Sequence, residues 1–151
     1  MYNVTCDPSD NTQLGWSHDA ESQAILAPGA NTTLTCMDWK TADNRQMWAV
    51  NCTGVQAQRW SIGSPDEDGF ATLIASQNHN TLTIPGRQNS VELQKHTGSG
   101  KPVMFRFKGG QLQSSVGSCL AARAINPPQC LQDVSPCYQL IALPIVASVL
   151  F

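Results

Sequence analysis

The sequence predicts an all-β domain built from three four-stranded repeats of roughly 45 residues each. Three observations predict it. Short stretches of alternating apolar and polar residues recur between turn residues along most of the chain. An apolar strand followed by a Leu-Thr-apolar strand appears as Ala24-Ile-Leu to Asn31-Thr-Thr-Leu-Thr-Cys36 and again as Thr72-Leu-Ile to Asn80-Thr-Leu-Thr-Ile84. Large aromatics recur at Trp16, Trp60 and Phe105, at intervals of 44 and 45 residues. A fixed period of this size marks a repeat architecture, and many short, evenly spaced strands mark a barrel-like fold.

The elements follow in order. Residues 1–16 read as a leading strand, the tail of another repeat, in which Val4-Thr-Cys6 and Gln13-Leu-Gly-Trp16 pair with the last unit and close the barrel. The first unit spans about 17–62 and ends on Gln58-Arg-Trp60-Ser-Ile62. The second, about 63–107, opens with Asp66-Glu-Asp-Gly69 as an exposed loop. Its strands at Val91-Glu-Leu-Gln-Lys-His96 and Met104-Phe-Arg-Phe-Lys108 alternate with period 2. The third, about 108–151, begins at Gln111-Leu-Gln, continues through Gly117-Ser-Cys119-Leu and closes on the apolar run Tyr138–Phe151. Turns fall at Pro28-Gly29, Pro85-Gly86, Gly98-Ser-Gly100, Gly109-Gly110 and Pro127-Pro128. The whole is one domain, since 151 residues suffice for a single core.

Composition narrows the function. Charged residues are 13% and the net charge is -2, so no basic face exists to neutralise phosphates and nucleic acid is not expected as a partner. The six cysteines form no Cys-x-x-Cys pair, and His18, His79 and His96 are isolated, so no metal site or cofactor is expected. An even cysteine count, with Asn-x-Ser/Thr sequons at Asn3, Asn31 and Asn51, points to a secreted, oxidising environment and a glycoprotein. The amino-terminal residues lack the basic start and apolar run of a signal peptide. The final 14 residues contain Pro144 and are short for a membrane span. They read as a buried closing strand, with the removable tail of a lipid-anchored precursor as the alternative.

One stretch carries a specific motif: Cys36-Met-Asp38-Trp39, then Trp48-Ala-Val50-Asn-Cys52, then Gln58-Arg-Trp60. A cysteine opening a strand, an acid two residues on, a second cysteine and a Gln-x-Trp resemble one repeat of the ricin B-type β-trefoil lectins. The resemblance implies a β-trefoil and carbohydrate binding of the galactose or N-acetylgalactosamine type. It gives Asp38 the role of accepting sugar hydroxyls, which a carboxylate does well. The family's platform position holds Val50, so Trp48 or Trp39 replaces it, and the amide position holds Ala57. Gln58 either ties the local turn or supports the site, while Trp60, Phe105 and Trp16 belong to the core. In the other units Ile84 and Ala121 replace the acid, and Gln94 stands at the second unit's platform.

The same resemblance implies a Cys36–Cys52 disulfide within the first unit, with Cys119–Cys137 as its counterpart and Cys6–Cys130 left over. No Gly-x-Ser-x-Gly elbow or His-Glu-x-x-His helix is present, and no enzymatic activity is expected. The expected partners are glycans or glycoproteins. The rival expectations are a self-assembling structural module, joining copies into oligomers or fibres through its terminal strands, and a protease inhibitor acting through residues 65–69.

Overall fold

The computed structural model describes residues 6, 13–27, 35–39, 47–77, 79–84, 91–95, 102–124 and 137–145. They form an all-β structure of twelve strands and one short 3-10 turn, and all the strand pairings are antiparallel. The first four strands are β1 (Ser17–Asp19), β2 (Ala24–Ala27), β3 (Thr35–Asp38) and β4 (Trp48–Asn51). The next four are β5 (Trp60–Ile62), β6 (Leu73–Ala75), β7 (Thr81–Thr83) and β8 (Glu92–Gln94). The last four are β9 (Phe105–Lys108), β10 (Gln111–Ser114), β11 (Ser118–Ala124) and β12 (Cys137–Pro144).

The middle group is a sheet of its own, in the order β5-β6-β7-β8. The outer groups join through β4 and β12 into an eight-stranded sheet ordered β1-β2-β3-β4-β12-β11-β10-β9. Three successive groups of four antiparallel strands are compatible with a trefoil arrangement. The groups are offset from the units read in the sequence. Trp60–Ile62 pairs forward with Leu73–Ala75, and Phe105–Lys108 pairs forward with Gln111–Ser114. Each of these two aromatics therefore opens a hydrogen-bonded group rather than ending one.

Alternation sorts each strand into two faces. Ile25, Leu73 and Leu112 on the second strands, and Met37, Leu82 and Leu120 on the third, enter one buried cluster with Trp16, Trp60 and Phe105. The three aromatics are at most 3% exposed. They also carry a cyclic set of backbone hydrogen bonds. The Trp60 N–H donates to the Gln23 carbonyl (2.8 Å), Phe105 to Ala71 (2.7 Å) and Trp16 to Gly110 (3.0 Å). Each acceptor lies just before the second strand of the preceding group, so group two is tied to one, three to two, and one to three.

The indoles add a second tie. Trp60 Nε1 donates to the Met37 carbonyl (3.0 Å), and Trp16 Nε1 donates to the Leu120 carbonyl (2.9 Å). Gly110 is needed at its position: with Gly109 it forms a two-residue turn between β9 and β10, both at positive φ (83° and 60°). In the first turn the Asp19 carboxylate accepts from the Ser22 hydroxyl (2.7 Å) and the Glu21 amide (3.3 Å), which hold it below the usual carboxylate range. A depressed acid stabilises above its unfolded value, so this tie is present at neutral pH and is lost as pH falls through the lowered value.

The disulfides require a correction. Cys36–Cys52 forms as expected, but Cys119 pairs with Cys6, not with Cys137. The reason is geometric. Cys36 faces Val50 on β4, and Cys119 faces Leu143 on β12. The chain position matching Cys52 would be Ile145, and there the Cys6 N–H donates to the Pro144 carbonyl (3.0 Å). Cys6 thus takes the place of a partner from β12, and Trp16 reaches the third strand of the last group through its indole N–H. Cys130, Asn3, Asn31, His96 and the terminal residues 1–5 and 146–151 lie outside the described residues. The closing strand is present over Cys137–Pro144 and is interior, between β4 and β11.

The two crosslinks span very different separations, 113 and 16 residues. In the chain-entropy model these are worth about 4.7 and about 3 kcal/mol. Guanidinium unfolding should show a larger loss for Cys6→Ser/Cys119→Ser than for Cys36→Ser/Cys52→Ser. The reverse order would mean that the amino-terminal segment contributes little to the folded core.

Candidate functional site

The candidate residues lie on β3 and β4. Met37, Met47 and Ala49 enter the core, so alternation turns Cys36, Asp38, Trp48 and Val50 to the opposite face. The register sets Cys36 against Val50 and Asp38 against Trp48. Directly opposed residues of an antiparallel pair have Cβ atoms about 5 Å apart, close enough for one ligand to touch both. Gln139 occupies the register position on the other side of Trp48.

Gln58 ends the 3-10 turn η1 (Gln56–Gln58) and is 2% exposed. Its Nε2 donates to Asp38 Oδ2 (3.1 Å) and to the Asn51 carbonyl (3.0 Å). Its Oε1 accepts from the amides of Thr53 (2.8 Å) and Gly54 (3.3 Å). The side chain thus uses its full hydrogen-bonding capacity. Gln58 thus ties the turn after β4 and holds the Asp38 carboxylate.

The two tryptophans separate. Trp48 shares the face of Asp38 and is 8% exposed, while Asp38 is 4% exposed. Trp39 packs against the core cluster instead, and its backbone amide donates to the Ala57 carbonyl (3.2 Å). The indole N–H groups of Trp48 and Trp39 are both buried without a hydrogen-bond partner. A buried unmade donor costs about 1–3 kcal/mol, which makes the Trp48 N–H beside Asp38 a polar group in want of an acceptor.

The structure corrects the match in the second group: Leu82 takes the place of Met37, so Thr83, facing Glu92, and not Ile84, stands where Asp38 stands, while Ala121 does so in the third group. Ile84 packs against the core, and Ala121 joins a small cluster with Cys119, Leu143, Ile141 and Cys6. Gln94, at the end of β8, is half-buried. The loop at residues 65–69 is held from within: Asp66 Oδ1 accepts from the amides of Asp68 and Phe70 (both 2.9 Å). Arg106 stacks on the Phe70 ring at 4.4 Å and donates to the Asp68 carbonyl (3.0 Å). The Asp66 carboxylate is thereby engaged in turn formation.

In the sequence Gln13 reads only as part of the leading strand. It is fully buried, with Oε1 3.6 Å from Cys119 Sγ, and precedes Trp16 much as Gln58 precedes Trp60. Three residues of spacing instead of two hid the match. Among the described residues no three His, Cys, Asp or Glu side chains come together as a metal site, and no helix is long and apolar enough to cross a membrane. No family model, no curated protein and no solved structure matches the chain.

Gln58→Ala should destabilise the protein by about 2–3 kcal/mol, because two backbone amides lose their partner together and a buried carboxylate loses one of its contacts. Urea unfolding checks this. A loss below about 0.5 kcal/mol would show that water replaces the amide at little cost.

Proposed function

We propose that the chain is a secreted β-trefoil of the ricin B type whose first group carries one carbohydrate-binding site centred on Asp38. The observation that carries this reading is the pairing of acceptor and donor on one face. Gln58 presents the Asp38 carboxylate, and across the strand the Trp48 N–H lacks an acceptor. A sugar offers hydroxyl protons to the first; the Trp48 N–H is itself out of solvent reach and meets a sugar oxygen only after the side chains over it shift. With Asp38 4% and Trp48 8% exposed, the sugar meets the site by an edge rather than lying flat on an open indole. So small a contact implies a dissociation constant of about 1 mM, for galactose or N-acetylgalactosamine.

A second reading is favoured by a specific observation: Thr83 and Ala121 stand where the other groups would carry the acid, and Gln58 already gives Asp38 a structural partner. In that reading the fold is a scaffold for protein interaction. Self-association would then use the strands at the ends of the sheets, β1, β9, β5 or β8, because β12 is interior.

Glycan-array binding and sugar titration of the oxidised protein separate the two. Asp38→Asn keeps an acceptor for Gln58 and removes the charge, so binding should fall by at least about tenfold with little change in melting temperature. Trp48→Phe keeps the ring and removes the donor, and should weaken binding by about tenfold. Unchanged binding in both variants places the site elsewhere, and no binding of any glycan by the native protein selects the scaffold reading.

A further inference from the structure

The sequon Asn51-Cys52-Thr53 has a half-cystine as its middle residue. We propose that attachment of a glycan at Asn51 and closure of Cys36–Cys52 compete during folding, so that the disulfide decides how much of the protein is glycosylated there. The proposal rests on the secretory reading above.

Asn51 is the exposed last residue of β4. Exposure alone does not make it a substrate once the chain has folded. Its register partner is Thr35 on β3, and its carbonyl accepts from Gln58 Nε2 at 3.0 Å. The Thr53 amide donates to Gln58 Oε1 at 2.8 Å. Cys52, between them, is bonded to Cys36. All three residues of the sequon are thus held, one by a covalent bond and two by the same glutamine. A transferase has to surround the asparagine amide and the threonine hydroxyl together, and that requires this backbone to leave the sheet. Hydrogen bonds open transiently, whereas the disulfide persists until a thiol attacks it.

The two reactions balance separately. In glycosylation, Asn51 Nδ2 bonds to the anomeric carbon of a lipid-pyrophosphate-linked oligosaccharide. The carbon–oxygen bond to the pyrophosphate breaks, the lipid pyrophosphate leaves with the electron pair, and the amide nitrogen loses a proton. In closure, the Cys36 and Cys52 thiols give up two protons and two electrons to an oxidising disulfide by thiol–disulfide exchange. Closure needs only the 16-residue separation to be spanned, so it proceeds as soon as both cysteines are available.

The test is site-resolved glycan occupancy at Asn51 in the full chain made by a eukaryotic secretory cell, read by mass spectrometry after enzymatic deglycosylation. Cys36→Ser leaves the sequon intact and removes the crosslink. Its occupancy should rise severalfold over the native chain, as should that of the native chain made in the presence of a thiol reductant. Cys6→Ser breaks the other disulfide and should leave Asn51 at the native level. Equal occupancy in the native chain and Cys36→Ser overturns the proposal, as does an equal rise in Cys6→Ser, which would trace the effect to general unfolding. Modification at Asn3 or Asn31 with none at Asn51 in any variant overturns it while leaving the secretory reading intact. No modification at any sequon overturns both.

Discussion

The structure depends on three aromatic residues whose backbone amides close a ring. Trp16, Trp60 and Phe105 each reach back to the turn of the preceding four-stranded group, and the last link runs from the start of the chain to Gly110. The groups are individually small, and short sheets of this kind are marginal alone. The ring makes them one core, because each aromatic is buried among strands of more than one group and brings a large apolar area with it. The two indoles add a polar constraint that Phe105 lacks, since a phenyl ring has no N–H to donate.

The candidate site is a by-product of the same geometry. Trp60 reaches Met37 on β3, which seats the turn carrying Gln58 against the end of that strand. Gln58 then spans from the turn to Asp38, and period-2 alternation puts Trp48 across from the carboxylate. Removing any of these contacts disturbs both the turn and the site, so measurements of binding and of stability have to be made on the same variants. Thr83 and Ala121 occupy the matching third-strand positions of the other groups, so only the first carries an acid at that position.

Much of this was legible in the sequence. The aromatic interval and the Leu-Thr repeat gave the strand groups, and Gln58-Arg-Trp60 with Cys36 and Cys52 gave the local disulfide and the buried tryptophan. The sequence leaves Trp48 and Trp39 both open beside Asp38, and the register of β3 with β4 decides for Trp48. Two things were hidden. The strand groups begin at Trp60 and Phe105 because pairing runs forward from the aromatics, and a single strand looks the same whether it ends one unit or begins the next. The Cys6–Cys119 pair was hidden because the third group is assembled from both ends of the chain. Cys137 is nearer in sequence, but the position opposite Cys119 belongs to Leu143.

The Cys6–Cys119 crosslink has a consequence for vectorial synthesis. Cys6 leaves the ribosome 113 residues ahead of Cys119, and Trp16 leaves it 104 residues ahead of Leu120. Over that interval Cys6 waits in the company of Cys36 and Cys52, which emerge before Cys119. Contacts over such separations form slowly. The order in which the chain emerges therefore runs against the order in which the ring closes, and correct pairing depends on Cys36 and Cys52 finding each other before Cys6 finds either.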